Sequence, residues 1–123
     1  MSLNTSECPI EVKKSHDGIV LVKPLGQFLT GQAWVEKLRA VIFDILERRQ
    51  NPRVIIDMSM VEHLSSSLLG EMIGIQRKLD AAHGQLRIAQ VQPSVYEIFH
   101  ITRLHLSFNI QDTNDKAAQS FDV

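Results

Sequence analysis

The reading of this chain turns on one stretch, Val54-Ile55-Ile56-Asp57-Met58-Ser59-Met60-Val61-Glu62-His63-Leu64-Ser65-Ser66-Ser67-Leu68-Leu69-Gly70. Its first part, Arg53 to Met58, carries the compact apolar run expected of a buried strand. Asn51-Pro52 stops whatever precedes it, because the residue before a proline is pushed out of helical conformation. Past the three serines, Leu68, Leu69, Met72, Ile73, Ile75 and Leu79 recur at three and four residues up to His83-Gly84. That is the period of a helix opened by serines and closed by glycine. A buried strand, a short loop and a hydroxyl-rich helix start therefore follow one another.

Upstream, Trp34, Leu38, Val41, Ile42 and Ile45 fall at helical spacing, with Glu36, Lys37, Arg39, Asp44, Glu47 and Arg48 on the other side. Thr30 is the expected N-cap of this amphipathic helix. Before it, Ile10 to Lys14 and Gly18 to Leu25 read as a hairpin closed around Asp17-Gly18, the second strand apolar on both faces and so interior. Downstream, Gln85 to Val91 reads as a strand. Pro93 opens a short helix through Val95, Ile98, Phe99 and Ile101. Leu106 to Ile110 is expected as a last short strand. Asp112, Thr113 or Asn114 then caps a terminal helix anchored by Phe121. The alternation predicts an α/β domain on a small mixed sheet, with a right-handed crossover through the first helix.

Composition limits what such a domain does. In 123 residues, 13 basic against 14 acidic side chains leave a formal net charge of -1, without the positive field that nucleic acid binding needs. Hydrophobic residues at 44% and charged residues at 22% are the balance of a soluble globular protein. No run approaches the roughly 18 apolar residues of a membrane helix. Residues 1–9 carry neither the basic start nor the apolar core of an export signal and read as a flexible lead-in to a domain over residues 10–121. Cys8, the single cysteine, excludes an internal disulfide, and the expected location is a reducing cytoplasm.

The serine run is the candidate site. Three hydroxyls lie where a strand gives way to a helix, the end at which α/β sheets present their sites, and the unpartnered first-turn amides favour an added phosphate. The plainer account makes Ser65 a simple N-cap, with Ser66 and Ser67 ordinary first-turn residues. A hydrolytic reading pairs a serine with His63 and Asp57, but the Gly-x-Ser-x-Gly elbow is absent. His16, His63, His83, His100 and His105 lack metal-ligand spacing, and no phosphate-cradling glycine loop occurs, so neither metal nor cofactor is expected. Gly70 and Gly74 lie on one stripe with Arg77. Each costs a helix interior about 1 kcal/mol relative to Ala, which calls for close approach of another backbone, from this domain or a partner. Phe43, among the charged positions of its helix, hints at an interface.

With these elements in order, the chain resembles the STAS domain family, which joins sulfate transporters and anti-sigma factor antagonists. The resemblance runs from about Ile10 to Phe121. The opening stretch is similar to the family's strand, loop and Asp-Ser-Ser-Gly-Leu-Gly helix start. Gly84 to Ile88, Pro93-Ser94-Val95 with Ile98-Phe99, and Thr102-Arg103-Leu104, similar to the family's Thr-Gly-Leu, extend it. The resemblance implies a sheet of four to five strands with about four α-helices. It also implies a non-enzymatic domain that binds a serine-kinase anti-sigma factor and is switched by phosphorylation at the position of Ser66. Ser65 then stands at the family's aspartate, Ser67 at its second serine and Leu68 at its glycine. In Gly26-Gln27-Phe28-Leu29, matched to Gly-Glu-Leu-Asp, Leu29 replaces an acid. Leu29, Thr30, Leu68, Gly70, Glu71 and Gly74 are the expected partner-facing residues. The alternative is a STAS scaffold or ligand-binding module of a larger signalling or transport assembly that no kinase modifies, its contact patch enlarged by Leu29 and Leu68.

Overall fold

The computed structural model describes residues 8–15 and 17–121. The expected lead-in lies outside the described residues over positions 1–7, as does His16 of the hairpin turn. Cys8, at its end, is buried, and the Pro9 carbonyl accepts the Leu25 N–H.

The element order is β1 (Ile10–Lys14), β2 (Ile19–Pro24), β3 (Phe28–Leu29), α1 (Gln32–Arg48), β4 (Arg53–Asp57), β5 (His63–Leu64), α2 (Ser66–Ala81), β6 (Gln85–Ala89), α3 (Pro93–Ile101), a 3-10 turn (Leu104–Leu106), β7 (Ile110–Gln111) and α4 (Asn114–Gln119). Five strands form one mixed sheet in the order β1-β2-β4-β6-β7. The β1–β2 pair is antiparallel, and each later pair is parallel, with Val54 between Val20 and Leu86, and Ile56 between Val22 and Ile88. The second strand, anticipated as interior, and β4, anticipated as buried, are both interior, as is β6. Val22 and Val54 are fully buried, and α1 and α2 bury Leu38, Ile42, Met72, Ile75 and Leu79 in the same core.

The other face of the sheet carries a smaller cluster of Ile19, Ile55 and Ala89 under Ala117 and Phe121. The α4 cap is Thr113, whose side chain accepts the Lys116 amide at 3.1 Å. Arg87, buried on this face, donates to the Ser120 hydroxyl at 2.7 Å and lies 4.7 Å from the centroid of the Phe121 ring. A charge-bearing side chain thus ties the last helix to β6 through hydrogen bonds and a cation–π contact.

Two expectations are corrected. Thr30 is not the N-cap of α1. The chain leaves β3 at Leu29 and turns at Gly31 with φ 97, a conformation that glycine adopts without penalty, so the cap moves to Gly31 and carries no side-chain bond. Leu106 to Ile110 is not a strand. Arg103 takes the left-handed conformation, φ 63, and sends the chain into the 3-10 turn, leaving only Ile110–Gln111 to pair with β6. That turn brings His105 onto His100, the rings stacked with centroids 4.5 Å apart.

Candidate functional site

The site grows from a two-stranded ribbon at the carboxyl end of the main sheet. β3 and β5 pair in parallel, Phe28 beside His63 and Leu29 beside Leu64. The ribbon is fastened at its start by the Glu62 N–H donating to the Gln27 carbonyl at 2.7 Å, and at its end by the Ser65 N–H donating to Leu29 at 3.1 Å. Period-two alternation sends Leu29 and Leu64 into the core and leaves Phe28 and His63 outside. At 60% exposure, Phe28 is an apolar group offered to solvent across the ribbon from His63. Met60, 40% exposed, belongs to the loop feeding the same ribbon.

Ser65 has the extended conformation of an N-cap, and its Oγ accepts the Leu68 N–H at 3.2 Å. Its hydroxyl is engaged. Ser66 and Ser67, the first two residues of α2, are exposed, and no acidic residue occupies the first turn. The helix dipole therefore acts on these hydroxyls with no acidic side chain in the first turn to oppose it.

The partner-facing expectations divide. Thr30 and Gly70 are exposed and Gly74 half-buried. A Cβ added at Gly70 or Gly74 would meet nothing within 4 Å. The domain's own backbone is thus not what these glycines accommodate; they leave a bare, shallow track along α2 from Ser66. Leu29 and Leu68 are corrected: both side chains are buried, at 2% and 1% exposure, and neither enlarges a contact patch. Leu68 is placed by helix phase, one turn before Met72 on the core side, and Leu29 by strand alternation. Glu71, expected to face a partner, is held within the domain instead, its side chain 10% exposed. Arg39 of α1 grips it, with Nη2 at 2.7 Å from Oε1 and Nε at 3.2 Å from both carboxylate oxygens. This fork locks α1 to α2 behind the glycine track and, by hydrogen bond and charge, pushes the Arg39 pKa up.

The hydrolytic arrangement is not formed. Asp57 accepts from the Ser59 N–H at 2.8 Å and from Asn114 Nδ2 at 2.9 Å, so its two oxygens brace the end of β4 against α4. Burial pushes this carboxyl up, but the bonds from Asn114 and Ser59 and the charge of Lys23 outweigh it and hold it below its ordinary value. Among the described residues no group of three His, Cys, Asp or Glu side chains is placed to hold a metal ion, and no helix is long and apolar enough to cross a membrane. The sequence reading passed over Phe28 and Met60. Phe28 lay in plain view within Gly26-Gln27-Phe28-Leu29, but a two-residue strand has no period from which to read its outward face.

The chain is similar in sequence and in fold to known proteins. A protein of Paenibacillus polymyxa named as an anti-sigma F factor antagonist is 20% identical over 108 residues, 88% of this chain and 91% of the relative. The crystal structure of an anti-sigma factor antagonist from Mycobacterium paratuberculosis matches with a TM-score of 0.77 at 23% identity, over 93% of each chain. The Bacillus cell fate determinant SpoIIAA, in its phosphorylated form, matches with a TM-score of 0.66 at 20% identity, over 89% of this chain and 96% of that one. The STAS domain model matches residues 12–117. The chain belongs to the STAS domain family and resembles the anti-sigma factor antagonists within it.

Proposed function

We propose that this domain binds a serine-kinase anti-sigma factor through the rim formed by the β3–β5 ribbon and the start of α2, and that phosphorylation of Ser66 releases it. The observation that carries this reading is the division of labour among the serines: Ser65 is consumed as the cap while Ser66 is exposed at the first helical position, on the same stripe as the bare Gly70 and Gly74. SpoIIAA, whose fold this chain shares, exists in a phosphorylated form, which supports a phosphorylated state here.

The switch is electrostatic. A phosphate brings about -1.5 to -2 charge. At its own helix N-terminus it gains about 0.3 to 1 kcal/mol, so the fold survives. At about 6 Å from a partner carboxylate it costs roughly 1 kcal/mol in water-like surroundings and about 5 kcal/mol at an effective dielectric near 20. Since 1.4 kcal/mol is about tenfold in affinity, a moderate complex dissociates without refolding.

The test is incubation with the serine-kinase anti-sigma factors of the same genome and ATP, followed by intact-mass measurement and gel filtration. A gain of about 80 Da that Ser66→Ala abolishes and Ser67→Ala preserves is expected, with loss of the complex as the mass appears. Neither complex nor mass gain with any of these kinases overturns the reading. The alternative of an unmodified scaffold loses the enlarged apolar patch that motivated it, because Leu29 and Leu68 are inside.

A further inference from the structure

Among the described residues β1 is an edge of the main sheet, paired with β2 alone. The antiparallel ladder decides which of its backbone groups stay unpaired. The Leu25 N–H donates to the Pro9 carbonyl and the Ser15 N–H to the Ile19 carbonyl. By alternation, Pro9, Glu11, Lys13 and Ser15 face β2, while Ile10, Val12 and Lys14 turn their N–H and C=O groups to the open edge.

The strand's own sequence selects what pairs there. In Ile10-Glu11-Val12-Lys13-Lys14, a two-fold axis through Val12 sets Val12 against Val12 of a second copy, as the mutually hydrogen-bonded kind of pair that its outward groups require. The same axis sets Glu11 against Lys13 of the second copy, twice over. Lysines on an edge strand ordinarily block pairing by like charge. Here Glu11 and Lys13, on one sheet face and 3.9 Å apart within the chain, become complementary to their own image.

The helix above the edge has the same property. Val12, 48% exposed, lies beside a groove of about 320 Å3 lined by Lys37, Ala40, Val41, Asp44 and Ile45 of α1. Lys37 and Asp44 are two turns apart, and their midpoint is the small, exposed Ala40 with Val41. An axis passing near that midpoint brings Lys37 opposite Asp44 of the second copy and puts the smallest side chain where two antiparallel helices approach.

We propose that this chain forms an isologous homodimer through β1, continuing its sheet across a two-fold axis with Glu11–Lys13 and Lys37–Asp44 pairs between copies. None of these residues belongs to the α2 rim, so the proposal is independent of the partner and of Ser66.

Sedimentation equilibrium and native mass spectrometry of the full chain, from micromolar to millimolar, test it. The expected mass is twice that of the monomer. Glu11→Lys raises the dissociation constant by about tenfold or more, because two attractive pairs become repulsive. The double swap of Glu11→Lys with Lys13→Glu restores it, which a merely unfolded variant could not do, and Ser66→Ala dimerises like the parent. A monomer throughout that range, or a dimer indifferent to Glu11→Lys, overturns the proposal.

Discussion

Ser65 Oγ holds the Leu68 amide at 3.2 Å, and Leu68, through the same turn, is packed into the core at 1% exposure. The cap and the apolar plug are thus one unit that sets where α2 begins and leaves Ser66 outside it. Ser65→Ala is expected to lower stability by about 1 kcal/mol in urea unfolding, and Ser65→Asp to keep the cap. Ser66→Ala is expected within about 0.5 kcal/mol of the parent. Equal losses at the two positions would contradict the assignment of roles.

The glycines of the chain make opposite predictions. Gly70 and Gly74 stand in open space, so Ala at either stabilises α2 by about 1 kcal/mol while narrowing the track a partner would use. At Gly84 an added Cβ would lie 2.6 Å from the Pro52 carbonyl oxygen, backbone that cannot step aside, and Ala there destabilises the fold. Thermal melts of the three single variants separate the two classes by sign.

Asp57 predicts a pH dependence. Its folded-state pKa lies below the unfolded one, so its contribution is complete above the ordinary carboxylate value of 3.8 and disappears as pH falls through the lower folded value. The stability gap between the parent and Asp57→Asn is therefore constant around neutrality and closes in acid. Urea midpoints at successive pH values measure it, and a gap unchanged down to the most acid pH at which both fold would contradict the account.

Arg103 holds φ 63 between α3 and the 3-10 turn. A non-glycine residue in that conformation costs roughly 1–2 kcal/mol. Arg103→Gly is expected to raise the melting temperature without moving His105 from His100, which the imidazole signals in an NMR spectrum report. The matching glycine in the family's Thr-Gly-Leu is then explained by backbone geometry.

Much of this was legible from local pattern. The 3.6 period of Trp34 to Ile45 and of Leu68 to Leu79, the apolar run at Val54, and the breakers at Asn51-Pro52 and Gly84 are each written within a few residues. They specify helices, interior strands and their order. The same periodicity also placed Leu68 in the core; aligning it with a family glycine is what suggested a partner contact. The turn at Arg103 was hidden because an arginine gives no sign of left-handed backbone.

What tertiary structure alone decided is the surface. The β3–β5 ribbon joins residues some 35 positions apart through two-residue strands, too short for any period, and only that pairing sets an exposed Phe28 beside His63, in the strand that leads into α2. Arg39 and Glu71, 32 positions apart, meet because two helices pack on one sheet. Local sequence dictates which face of an element is apolar, since that depends on near neighbours. Which exposed groups converge on one rim depends on distant segments brought together by burial, and no window along the chain contains that information.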